Sequence, residues 1–202
     1  MLQENSSLSI YNFLEEQNLL KNAPKYWWPN AGTFEVVIGA ILTQNTSWLN
    51  VEKSLHNLEK YLAIESFLTL SEKELKEKIK PSGFYNQKAP RLFALTKNIL
   101  TDFKDFKTFQ KEVSREWLLS QKGIGEESAD AILCYACFRR EMVVDTYTKR
   151  LLKIFGIEYG KYGECKHFLE EGMEAHFQKN ELNSIYMKFH GMIVEYNKLS
   201  TH

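Results

Sequence analysis

Glu116-Trp117-Leu118-Leu119-Ser120-Gln121-Lys122-Gly123-Ile124-Gly125-Glu126-Glu127-Ser128-Ala129-Asp130-Ala131-Ile132 is the stretch on which the fold turns. A short helix ends before Lys122, two glycines one residue apart permit a tight turn with positive φ, and a second helix starts at once with Ala129 and Ile132 facing back. With Ile124 pinned into the core, the backbone N–H groups of the turn and of the next residues point outward. No intrahelical acceptor exists there, and the peptide dipoles favour an anion. Lys122, Gly123, Ile124, Gly125 and Glu126 are therefore candidate contacts for a nucleic-acid phosphate. An ordinary helical corner whose glycines only cap a helix has the same local sequence, so the segment alone leaves both readings open.

Outward from this hairpin the apolar spacing stays helical nearly everywhere, and runs of period two with β-branched residues are almost absent. The expected fold is all-α, with helices over about 8–20, 31–44, 46–62, 72–79, 87–103, 106–113, 115–121, 126–138, 145–155, 162–176 and 182–198. Pro24 and Pro29 bracket Lys25-Tyr26-Trp27-Trp28, which reads as exposed, and Pro81-Ser82-Gly83 closes a Lys/Glu helix. The first and last helices are expected to share one lobe.

With 26 basic and 26 acidic side chains over 202 residues and 44% hydrophobic content, the chain is neither disordered nor collagen-like. No apolar run reaches the roughly 20 residues that span a bilayer, and the first residues lack the pattern of a secretory leader, so a cytoplasmic protein without a membrane partner is expected. A net charge of zero argues against a nucleic-acid partner, since such proteins usually carry a basic surplus to neutralise phosphates. The average conceals an asymmetry: residues 71–125 hold 12 basic against 7 acidic side chains, while the flanks are both slightly acidic. The three cysteines suit a reducing compartment. Cys134-x-x-Cys137 with Cys165-x-His167 nominally offers four zinc ligands, but Cys134 and Cys137 sit in the apolar run Ala131-Ile132-Leu133-Cys134-Tyr135-Ala136-Cys137-Phe138, where cysteine behaves as a small hydrophobe. No metal site is expected, and His167 is expected at solvent or a helix end.

About twenty residues after the hairpin, Val143-Val144-Asp145-Thr146-Tyr147-Thr148-Lys149-Arg150-Leu151 places an Asp at a helix start behind two buried-type valines. Alone, Asp145 is an N-cap, worth about 1 kcal/mol. The order and spacing add to this. The hairpin, the downstream Val144-Asp145 and the early Ile41-Leu42-Thr43-Gln44-Asn45-Thr46 together resemble the helix-hairpin-helix DNA glycosylases of the endonuclease III superfamily, over roughly residues 31–155. Trp27-Trp28-Pro29-Asn30, Leu42-Thr43-Gln44-Asn45-Thr46, Pro81-Ser82-Gly83-Phe84-Tyr85-Asn86-Gln87-Lys88-Ala89 and Glu116-Trp117-Leu118-Leu119 look more narrowly like the bacterial 3-methyladenine DNA glycosylase subgroup.

The resemblance implies two helical lobes with the active site in a cleft between them, the motif at about 115–138, and lobes formed by 1–30 plus 140–202 and by 31–139. It puts Asp145 in the catalytic position and the partner as double-stranded DNA containing damaged bases, bound by a monomer at the bacterial nucleoid. Members that also cut the backbone carry a lysine two residues after the second glycine, where this chain has Glu127; the implied activity is base removal alone. Many members hold an iron–sulfur cluster on four C-terminal cysteines, and no cysteine follows Cys165, so no cluster is expected. A monovalent cation under the hairpin carbonyls is left open.

Cleaving an N-glycosidic bond builds positive charge on deoxyribose, which a fixed carboxylate stabilises while orienting or deprotonating water. An alkylated base such as 3-methyladenine is already cationic and leaves neutral. The flipped base would stack on aromatic faces, and Trp27 and Trp48 are the expected pair with Trp28 as support. Trp117 is expected in the core against the hairpin helix. In the family's pattern Gln44 and Asn45 hold the place where a side chain fills the gap left by the base; the alternative is a satisfied amide at a helix end. Glu195, Tyr196 and Lys198 resemble a pocket-lining last helix, with Lys198 facing the cleft, tuning the carboxylate or meeting phosphate; the alternative for Lys198 is a solvated terminal lysine. Two alternatives keep parts of this reading: an adenine or mismatch glycosylase using Glu35 or Glu195 as proton donor, and a non-catalytic DNA-binding module built on the hairpin.

Overall fold

The computed structural model describes residues 6–199. Twelve α-helices, two 3-10 turns and a π segment make up their regular structure, with no strand among the described residues. The chain divides into two compact units, one of Met1–Pro29 with Phe138–His202, the other of Asn30–Cys137.

The continuous unit is built around α2 (Phe34–Leu42), whose every residue except Glu35 is buried. A helix apolar all round belongs inside its unit. Around it lie α3 (Trp48–Asn57), α4 (Ile64–Phe67), α5 (Glu72–Ile79), α6 (Tyr85–Phe103), α7 (Phe106–Glu112), α8 (Arg115–Ser120) and α9 (Glu126–Ala131). α5 starts on a reciprocal capping box between Ser71 and Glu74. Past Ala131 the helix widens into a π segment, Ile132–Ala136, closed by Cys137 N–H to Ile132 O. Its turned-out carbonyls are used, because Tyr135 O accepts from Gly32 N–H at 2.8 Å and Ala136 O from Gln110 Nε2 at 2.6 Å.

The discontinuous unit packs α1 (Ser7–Glu16), α10 (Thr146–Ile154), α11 (Tyr162–Glu174) and α12 (Leu182–Leu199), with Ile10, Leu14, Leu151, Leu169, Met173, Phe189 and Ile193 in its core. No helix among the described residues is long and apolar enough to cross a membrane.

Several expected helices end early for local reasons. The one expected over 8–20 stops at Glu16, before Asn18 takes a left-handed φ of 52°. The one over 46–62 stops at Asn57 and continues as a 3-10 turn, Glu59–Tyr61. The stretch over 126–138 is α-helical only to Ala131, and α4 lay outside the expected elements.

Candidate active site

Val143 and Val144 are buried and deliver Asp145 to the start of α10, where its Oδ1 accepts from Thr148 N–H at 2.7 Å and from Thr148 Oγ1 at 2.9 Å. The N-cap expected from the sequence is present and closes into a reciprocal capping box with Thr148, which occupies one carboxylate oxygen. The other, Oδ2, lies 3.3 Å from His190 Nε2 on α12. The Asp145 side chain keeps 16% of its surface exposed, against 4% for His190. Burial pushes the carboxyl up, but the hydrogen bond and charge of His190, with the two Thr148 donors, outweigh it and hold Asp145 below its ordinary 3.8. The carboxylate is therefore ionised at neutral pH, fixed in direction, and still reachable.

His190 also meets Trp27, edge to face, with ring centroids 5.1 Å apart. Trp27 has a left-handed φ of 61°, and its indole N–H donates to Glu195 Oε1 at 2.9 Å. Its ring lies on Gly191, where a Cβ would fall 2.5 Å from Trp27 Cγ. A glycine in the interior of α12 costs about 1 kcal/mol relative to alanine, and here it makes room for the indole. Trp28, 7% exposed, packs edge-on to Trp27 at 6.3 Å. The expectation of an exposed Lys25–Trp28 stretch is thus corrected at Trp28, which props a half-buried Trp27. Lys198 donates to Glu195 Oε1 at 2.8 Å, so that oxygen receives both the indole and the ammonium. Sequence reasoning missed His190; the one signal for it was a glycine beside it in mid-helix.

In the other unit, Gly123 takes a φ of 87°, whereas Gly125 is extended at −97°. Only the first glycine answers a backbone need, which corrects the expectation of positive φ across the turn. Ile124 is 7% exposed, as a core anchor should be, but its N–H turns inward to Gln121 O at 3.1 Å. The N–H groups of Gly123 and Gly125 have no acceptor among the described residues, and Lys122 and Glu126 are exposed. Arg115 clamps the hairpin from α8: its Nε meets Asp130 Oδ1 at 2.7 Å and its Nη2 meets Oδ2 at 3.2 Å.

Gln44 is a satisfied amide at the end of its helix, one of its two expected readings. Its Nε2 donates to Gly123 O and to Ser128 Oγ, both at 2.9 Å, so the amide nitrogen ties the end of α2 to the hairpin. Asn45, next in the chain, is exposed at a left-handed φ of 54°. A second left-handed tip went unnoticed in the sequence: Phe84, φ 49° and 57% exposed, immediately before α6. One buried side chain joins the turns that carry the two tips. Lys88, 2% exposed, donates from Nζ to Leu42 O and to Ser82 O, each at 2.8 Å. Burial, with Arg91 nearby, lowers its ammonium to about 8. The folded chain thus gives up this proton near pH 8, while an unfolded lysine holds it to about 10.4. Stability contributed by Lys88 is absent below pH 8, rises between there and about 10.4, and is complete above. Chemical denaturation of Lys88→Met across this range is expected to show that rise removed. An unchanged slope would place the titration elsewhere.

Trp48 opens α3 and is half-buried. Trp117 departs from its expected place against the hairpin helix: it is half-buried, packs on Phe103 at 4.9 Å, and donates to Asp102. Cys134 and Cys137 are buried in one unit and Cys165 in the other, where burial pushes its thiol up to about 11. Three buried thiols are one short of a four-cysteine iron–sulfur site. His167 is exposed, as expected.

A profile of the HhH-GPD superfamily of base excision DNA repair proteins matches residues 38–175. A Methanocaldococcus jannaschii protein assigned as a DNA repair glycosylase is 42% identical over 181 residues, 85% of this chain and 80% of that protein. The crystal structure of Helicobacter pylori 3-methyladenine DNA glycosylase, bound to 1,N6-ethenoadenine, is 47% identical with a TM-score of 0.91, covering 96% of this chain and 98% of that one. A non-covalent endonuclease III–DNA complex shares the fold at 21% identity and a TM-score of 0.70, covering 93% and 84%.

Proposed function

This chain belongs to the HhH-GPD superfamily of base excision DNA repair proteins and is a DNA glycosylase, and we propose that it hydrolyses the N-glycosidic bond of alkylated purines such as 3-methyladenine without cutting the backbone. The observation that carries this reading is the line Asp145–His190–Trp27: an ionised, oriented carboxylate joined through one imidazole to an aromatic wall. As the glycosidic bond lengthens, the deoxyribose turns cationic and Asp145 stabilises it while orienting the attacking water. An alkylated purine arrives with its own positive charge, gains from the face of Trp27, and departs neutral, so no proton donor is required. His190 is a positioning residue here, and Trp28 and Gly191 hold the indole. The substrate class named for the Helicobacter pylori relative supports the same assignment.

DNA is gripped at the hairpin, where the N–H groups of Gly123 and Gly125 receive a phosphate beside exposed Lys122. Asn45 and Phe84 are the side chains offered to the duplex, Asn45 able to donate and accept toward an orphaned base and Phe84 as an apolar wedge. Glu127 stands at the position of the lyase lysine, so no Schiff base forms. In the adenine or mismatch reading Glu35 or Glu195 protonates the base, yet each is engaged as an acceptor, from Asn30 Nδ2 and from Trp27 and Lys198.

Chromatography of bases released from methylated duplex DNA tests the proposal. Release of 3-methyladenine, with intact abasic strands and no borohydride-trapped protein adduct, is the expected result. No released base would overturn the substrate assignment, and a trapped adduct would overturn the monofunctional one.

A further inference from the structure

Arg91 is on α6, three residues after Lys88. Its side chain is drawn across the hairpin: a Cβ built on Gly123 would fall 2.4 Å from Arg91 Cδ, 2.6 Å from Nε and 3.0 Å from Cζ. Asn98, about two turns along the same face of α6, anchors the hairpin by donating to Gln121 Oε1 at 2.7 Å. The guanidinium thus lies on the side-chain-free face of the one glycine whose backbone the turn demands.

Its charge has no answer among the described residues. No carboxylate lies within ion-pair distance of Arg91 among the described residues, in contrast to Arg115, which holds Asp130 two-pronged. Arg91 instead neighbours a second cation, the buried Lys88, and lowers the affinity of Lys88 for its proton. Two cations side by side without an acid, the outer one a half-buried planar fork of five donors, form an arrangement that an anion completes. Chain charge points the same way, because residues 71–125 hold 12 basic against 7 acidic side chains in a protein of net charge zero.

We propose that Arg91 is a DNA-binding residue whose guanidinium engages the backbone phosphate received at the Gly123 turn. The inference rests on the reading of the hairpin as a DNA grip. It assigns Arg91 to phosphate and not to base, so its contribution is independent of sequence and damage.

The test is binding of undamaged duplex by fluorescence anisotropy from 50 to 200 mM salt, comparing wild type with Arg91→Met, Arg91→Gln, Arg91→Lys and, as a charge control in the same unit, Lys73→Met. Arg91→Met keeps the aliphatic stem over Gly123, and Arg91→Gln serves should Met disturb folding. Losing one phosphate contact lowers the magnitude of the log K against log salt slope by about one, with affinity falling about tenfold at 0.1 M salt. Arg91→Lys keeps the slope. A wild-type slope in both Arg91→Met and Arg91→Gln, or a change no larger than that of Lys73→Met, overturns the inference. Lost thermal stability and lost base release at an unchanged slope overturn it too, by showing a purely structural residue. If the wild type releases no base from methylated DNA, the substrate reading fails while the slope still decides Arg91.

Discussion

Asp145→Asn is expected to bind duplex DNA like the wild type and to lose base release by at least about a hundredfold, the lower range of what a positioned acid–base group contributes. Asparagine is an N-cap as good as aspartate, so Thr148 N–H keeps its acceptor and α10 its start. The amide matches the carboxylate in shape and reach, but the charge opposite the developing sugar cation is gone. Single-turnover excision from methylated duplex, measured beside anisotropy on the undamaged strand pair, separates the two effects. Equal excision by both proteins would remove Asp145 from the mechanism. The wild-type pH profile adds a signed check. Because Asp145 titrates below 3.8 in the fold, its contribution to rate and to stability is complete above that value and is lost only as pH falls below it.

Arg115→Met is expected to destabilise the protein by about 3–5 kcal/mol, since it strands the fully buried Asp130 carboxylate without its cation. A change of that size lowers the midpoint of thermal unfolding by about 10 °C in a chain of this length. Replacing both members, Arg115→Met with Asp130→Leu, is expected to restore most of the loss, because the cost lies in an unpaired buried charge and not in a missing attraction. Calorimetry of the single and double variants decides it. A single variant within about 1 kcal/mol of wild type would show that water reaches Asp130. The pair joins the start of α8 to α9, so the hairpin is expected to loosen in the single variant and DNA affinity to fall with it.

What was legible in the sequence is what is decided locally. Gly123, Ile124 and Asp145 sit where a turn, a core anchor and an N-cap each need that residue type, and the period of the apolar residues exposes the helices. What escaped depends on distant partners. Asp145 and His190 are 45 residues apart, and Trp27 and Glu195 are 168 apart, so no window of sequence contains both ends of either contact. Gln44 reads as an amide at a helix end, but its acceptor, Gly123 O, lies 79 residues on. Phe84 escaped for another reason: propensity does not anticipate a bulky residue in the left-handed region, which the flanking Gly83 and the Lys88 anchor impose. Trp117 was misplaced because apolar spacing identifies a buried face without identifying which neighbour covers it.

The division of the chain has a consequence for how the protein comes into being. Residues 30–137 are contiguous and can close their core while ribosomal synthesis continues, but α12 must emerge before His190 and Gly191 exist for Trp27 and Asp145 to meet. Until then the nascent polypeptide holds a finished hairpin and no assembled chemistry, so the phosphate grip proposed for the hairpin is built before the machinery proposed for base removal.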